Sequence, residues 1–134
     1  MTIQKNTIDQ RRAADALTKI RSIANGGNDG FYKSYISAMP ATIVMNGLGQ
    51  ALITQLAKSK PSNPLDSHRL IYQHLCDWLS EQVKGLEGNP DQLIDRLMEQ
   101  DQSVYILAQA ECMAYLNWLK QFARALLAEA EGDK

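Results

Sequence analysis

The sequence predicts an all-α fold: a single domain over residues 1–134, built as a helical bundle of four main helices with one or two short helices between them. Three observations point there. Apolar residues recur at spacings of three and four through four long stretches, the period that lays them along one face of a helix. Clusters of glycine, proline and asparagine fall between those stretches, where they end helices and open turns. Nowhere does a β-branched run alternate with polar residues between turns, so no strand is expected.

Over residues 9–24, Ala13, Leu17, Ile20 and Ala24 mark the apolar face of a first helix. Asn25-Gly26-Gly27-Asn28-Asp29-Gly30 ends it, because glycine and asparagine accept the positive φ of a helix C-terminus. Residues 31–39 read as a short helix that stops before Pro40. Proline disfavours helical backbone in the residue ahead of it and suits the first turn of a new helix. A long helix over 40–58 comes next, striped by Ala41, Met45, Leu48, Leu52 and Leu56. Ser59-Lys60-Pro61-Ser62-Asn63-Pro64 is a loop of breakers. The next helix covers 65–84, with Ile71, Leu75, Trp78 and Leu79 inward and Val83 near its end; residues 85–88 stop it. Asn89-Pro90 supplies a cap and a first-turn proline for a short helix ending near residue 100. Asp101 or Ser103 caps the longest helix, over 101–130. Its stripe is Tyr105, Ala108, Cys112, Tyr115, Leu119, Phe122 and Leu126.

A chain of 134 residues, 45% hydrophobic and 22% charged, has the composition of one globular domain with one core. No run of about 18 apolar residues is present, so no membrane span is expected. The polar residues from Gln4 onward do not resemble a signal peptide, and a cytoplasmic location is expected. Cys76 and Cys112 lie far apart among apolar neighbours and read as small buried hydrophobes rather than a disulfide or metal pair.

The net charge of −1 is divided unevenly. Residues 1–60 hold eight Lys/Arg and three Asp, a balance of +5, and residues 61–134 hold six Lys/Arg and twelve Asp/Glu, a balance of −6. Three arrangements accommodate this split: a basic face turned to a polyanion, copies stacked plus end on minus end, or a fold that interleaves the signs. Lys19, Arg21, Lys33, Lys58 and Lys60 are the leading candidates for RNA contact, with Lys120 and Arg124, four apart on the last helix, as a second group.

Residues that could carry catalysis are scarce. His68 and His74 are about 240° apart around a helix axis and do not converge. No HExxH, CxxC or His-Cys cluster exists, so neither a metal nor any other cofactor is expected. Asp91, Asp95 and Glu99 are spaced by four on a short polar helix and read as a solvated face. No enzymatic activity is expected.

Asn46-Gly47-Leu48-Gly49-Gln50 stands out. Two glycines inside an apolar-striped helix cost about 1 kcal/mol each relative to alanine. Either tight helix packing within the bundle or close approach of an RNA backbone or another subunit offsets that cost. Phe31-Tyr32-Lys33-Ser34-Tyr35 places a lysine between tyrosines, a pattern suited to phosphate pairing beside ring stacking and equally to boundary aromatics with a snorkelling lysine.

Lys33-Ser34-Tyr35, Met39-Pro40-Ala41 and Asn46-Gly47-Leu48-Gly49-Gln50-Ala51-Leu52 resemble the signature stretch of the small subunit of the type III-B CRISPR effector, the Cmr complex. Residues 116–126 (Leu-Asn-Trp-Leu-Lys-Gln-Phe-Ala-Arg-Ala-Leu) are similar to that family's C-terminal helix. The resemblance implies a non-catalytic helical subunit in antiviral defence. Its partners would be the other Cmr subunits, further copies of itself stacked along the filament, and the guide and target RNA. A self-associating helical scaffold that touches no nucleic acid is the competing reading.

Overall fold

The computed structural model describes residues 6–28 and 30–127, and every regular element among them is helical. The order is α1 (Ile8–Gly26), α2 (Tyr32–Asn46), α3 (Leu48–Lys58), α4 (Ser67–Gln82), a 3-10 turn (Pro90–Gln92), α5 (Leu93–Glu99) and α6 (Gln102–Leu126). The all-α architecture expected from the sequence is what the structure shows.

Caps fix several starts. Thr7 and Gln10 form a reciprocal capping box on α1 (Gln10 N to Thr7 Oγ1 3.0 Å, Thr7 N to Gln10 Oε1 2.8 Å), satisfying donors that the first helical turn leaves unpaired. Asp66 accepts from Arg69 N at 3.1 Å to start α4, and Asp101 accepts from Val104 N at 3.1 Å to start α6. Between α4 and α5, Arg96 donates to the carbonyls of Leu86 and Asn89 at 2.9 and 2.8 Å, and Gln100 to that of Gly85 at 2.9 Å. α6 is helical to Leu126 and extended at Leu127; the rest of the stretch expected to reach residue 130 lies outside the described residues.

One expected boundary moves. Pro40 does not end a helix: α2 runs through it, and the chain breaks instead at Gly47, whose φ is +86°. Tyr32, Ile36, Met39 and Ile43 recur at spacings of four, three and four across the proline, and all are buried. Continuous burial of that stripe outweighs the hydrogen bond that proline removes. The break at Gly47 also shifts the phase of the apolar stripe in α3. Leu48 and Leu52 remain in the core, while Met45 is 81% exposed and Leu56 44% exposed, and Ala41 also faces outward. In α1 the inward face is Ala16, Ile20 and Ile23, rotated from the expected set, with Ala24 exposed. In α4 Ile71, Leu75, Trp78 and Leu79 are buried as expected, as are Ala108, Cys112, Tyr115 and Leu119 in α6.

α6 is the central helix, packed against α1, α2 and α4. A polar cluster lies along its contact with α1. Arg12 donates to both oxygens of Glu111 at 2.6 and 2.8 Å, and Trp78 Nε1 donates to the same carboxylate at 2.9 Å. Trp78 stacks on Tyr115 with centroids 4.8 Å apart, and the Tyr115 hydroxyl donates to Asp15.

Candidate nucleic-acid interface

α2 and α3 form a helical hairpin with Gly47 at its turn, and a groove of about 510 Å³ lies along it. From α2 it takes Tyr35, Ala38, Thr42 and Asn46, spaced by three, four and four and therefore on one helical face. α3 contributes Thr54, Gln55 and Lys58, and the first turn of α4 adds His68. None of the described lining residues is a carboxylate. His68 stacks flat on Tyr35 (centroids 3.9 Å, 9° between planes) and donates from Nδ1 to Gln55 Oε1 at 2.8 Å. Phe31 stacks on Tyr35 in turn, at 5.7 Å. One wall of the groove is thus a fixed aromatic surface, with Lys58 exposed on the rim.

A second, more apolar groove of about 560 Å³ lies on the other side of the hairpin, among Asn46, Gly49, Gln50, Ile53, Met98 and Tyr105. The Tyr105 hydroxyl accepts from Gly49 N at 2.8 Å and Gln109 Oε1 from Leu48 N at 3.0 Å, so α6 supplies the cap for α3. A Cβ on Gly49 would stand 2.9 Å from Met98 Cε and 3.2 Å from the Tyr105 hydroxyl. The offset for the glycine cost is therefore visible within the chain: Gly49 allows α3 to approach α5 and α6, and Gly47 is a turn rather than a helical position.

The sequence-predicted cations separate on the structure. Lys19 is withdrawn from the RNA-contact candidates. Its ammonium pairs with Asp15 at 2.8 Å, donates to the His74 carbonyl at 3.1 Å and sits 5.0 Å above the Tyr115 ring. Burial first, and the Lys19 charge second, push the His74 imidazole down to about 3. The neutral ring shares a 2.8 Å hydrogen bond with the Tyr32 hydroxyl. Arg21, Lys58, Lys60 and Arg124 are exposed, whereas Lys33 and Lys120 are partly buried, and Lys33 donates to the Leu127 carbonyl at 3.4 Å. Only Lys58 of this set lines the α2–α3 groove, joined there by Asn46. The Arg12–Glu111 pair joins the basic and acidic halves, so folding interleaves part of the charge split.

Thr42, Thr54 and Gln55 were not singled out by the sequence pattern. The signal for Thr42 was the Tyr35, Ala38, Thr42, Asn46 spacing, legible only once α2 is continuous through Pro40; Thr54 and Gln55, on α3, carried none. Burial pushes the Cys76 thiol up to about 12 and raises that of Cys112 further, which leaves both as protonated core residues at neutral pH. Among the described residues no group of three His, Cys, Asp or Glu could hold a metal, and no helix is long and apolar enough to cross a membrane.

Residues 8–126 match the family described as CRISPR-associated protein (Cas_Cmr5). The CRISPR system Cmr subunit Cmr5 of Thermus thermophilus is 28% identical over 123 residues, covering 92% of this chain and 98% of that protein. The X-ray crystal structure of a CRISPR-associated Cmr5 family protein, also from Thermus thermophilus, superposes with a TM-score of 0.75 at 25% identity, covering 92% of this chain and 99% of that one. With sequence and fold agreeing over nearly the whole length, the chain belongs to the CRISPR-associated Cmr5 family.

Proposed function

We propose that this chain is a non-catalytic small subunit of a type III-B CRISPR Cmr effector, stacked in copies along its filament and lining the channel that holds guide and target RNA. Family membership over residues 8–126 carries the reading, and the matched Thermus protein is named as a Cmr subunit. The RNA-holding part is supported by the α2–α3 groove, which has no carboxylate among its described lining residues and Lys58 on its rim, and by the exposed side chains of Lys60, Arg21 and Arg124. Lys33 and Lys120 complete the set. Spaced cations hold a single-stranded backbone without reading bases. Weak contacts on each copy then add through stacking.

The test has two arms. Purification of the chain from its host should bring down the other effector subunits and short guide RNAs. In the reconstituted complex, Lys58→Glu with Lys60→Glu should weaken target engagement. On the isolated chain, two to four phosphate contacts give a log–log salt slope of roughly −1.4 to −2.8 on single strands. Target engagement unchanged by this double variant and equally by Arg21→Glu with Arg124→Glu, with assembly intact, favours the competing scaffold reading. That reading has its own observation: Val44 and Met45 at the end of α2, and Ile106 and Leu107 at the start of α6, are 56–81% exposed, the kind of apolar surface that marks protein contacts.

A further inference from the structure

We propose that the α2–α3 groove recognises the ribose 2′-hydroxyl together with the phosphate of single-stranded RNA, so that this subunit itself distinguishes RNA from DNA. The proposal rests on the RNA-holding reading above and deepens it. The observation that carries it is the direction of hydrogen bonding inside the groove. The Thr42 hydroxyl donates to the Ala38 carbonyl at 3.1 Å, within α2. A hydroxyl has one proton, and this one is used. The Thr42 oxygen is therefore left with acceptor lone pairs only, on a residue that lines the groove.

An acceptor facing a phosphate meets other acceptors and repels them. Lys58, which carries donors only, suits the phosphate. Along a sugar–phosphate backbone the outward-facing donor is the 2′-hydroxyl, and DNA lacks it. Thr42 is thus placed to accept from a ribose while Lys58 neutralises a phosphate and the Asn46 amide, with both donors and an acceptor, serves either. Ala38 lies on the same α2 face, one turn from Thr42, and its short side chain lets a backbone approach the helix closely. A volume of about 510 Å³ falls within the range of small-ligand clefts, about 300–1,000 Å³, and holds a short piece of strand rather than a duplex.

The experiment uses the full chain with uridine and deoxyuridine homopolymers of equal length, titrated at low salt by fluorescence anisotropy. The ribose strand should bind about two- to tenfold tighter, the value of one net hydrogen bond. Thr42→Val keeps the branched shape and removes the acceptor. It should bring the ratio to about one while leaving affinity for the deoxyribose strand unchanged, and Thr42→Ser should retain the preference. Lys58→Gln should weaken both strands alike and flatten the salt slope by about 0.7. Equal binding of the two strands, no binding of either, or a preference untouched by Thr42→Val in a variant of unchanged melting temperature would each overturn the proposal. If binding is then lost on Arg21→Glu with Arg124→Glu, RNA holding stands and only the groove is removed. If the complex engages RNA with no dependence on any cation of this subunit, the RNA-holding reading itself fails.

Discussion

Gly47 and Gly49 are two residues apart and differ in what a side chain would meet. Gly49 has helical backbone, and a methyl there meets the flexible end of Met98 and the hydroxyl that caps its own amide. Met98 is 58% exposed and free to swing outward, so Gly49→Ala costs little beyond a weakened cap. Gly47 has φ +86° and ψ 161°, a region that is essentially glycine-only. Gly47→Ala should therefore lose about 1–3 kcal/mol in denaturant unfolding. Asparagine, which tolerates the left-handed helical region at other glycine turns, should rescue none of it here because ψ is wrong. A milder loss for Gly47→Asn than for Gly47→Ala would show that the turn relaxes. The sequence marked this pair correctly as costly but placed both glycines in one helix, since nothing local distinguishes a turn glycine from a packing glycine. Lys19 illustrates the same limit for charge: composition counts a cation, and only the fold reveals Asp15, the His74 carbonyl and the Tyr115 ring around it.

At the level of elements, α4 and α6 were legible over most of their length because each is long and striped with large side chains, although α4 is Ser67–Gln82 rather than 65–84 and Leu126, expected inward, is 46% exposed. The helix pair around Pro40 was misread because a local rule met a tertiary one. A proline inside a helix costs about 3 kcal/mol in an exposed, unsupported case, and four core residues at helical spacing exceed that when buried at about 1.5–3 kcal/mol each. The boundary error also hid the groove, since Tyr35, Ala38, Thr42 and Asn46 form one face only when α2 is continuous. Pro40 is then a cost the helix carries rather than a signal it obeys. Pro40→Ala should raise the melting temperature and leave the α2–α3 turn where it is, as read by circular dichroism and thermal unfolding. A fall in melting temperature would mean that the ring itself packs against a neighbour or that its rigidity in the unfolded chain matters more.

For the whole molecule, the polar seam between α1 and α6 ties the basic and acidic halves together and makes stability depend on pH. His74 is held neutral by burial, with its folded value about 3 against 6.5 unfolded. Its contribution is therefore fully present above 6.5 and is lost as pH falls from 6.5 toward 3, at up to about 1.4 kcal/mol per pH unit. Lys19, which pairs with Asp15 beside it, adds to the penalty for charging the ring. Glu111 acts lower on the scale. Burial raises its carboxyl, but the hydrogen bonds from Arg12 and Trp78 outweigh that and hold it below the usual 4.5, so its share is lost only as pH falls below that value. Asp77, raised by burial, works in the opposite sense, so the native slope is a difference of terms. Substituting His74→Asn, which keeps a polar partner for Tyr32 and cannot titrate, isolates the histidine. Melting temperature measured at pH 7, 6, 5 and 4 should fall continuously for the native chain, with the loss beginning above pH 5. In the variant the curve should not fall between pH 6.5 and 5, and should fall only where Glu111 begins to protonate. Parallel curves for the two chains over that interval would mean that His74 takes up its proton equally in the folded and unfolded chain, and that the seam, rather than the buried ring, sets the acid limit of the fold.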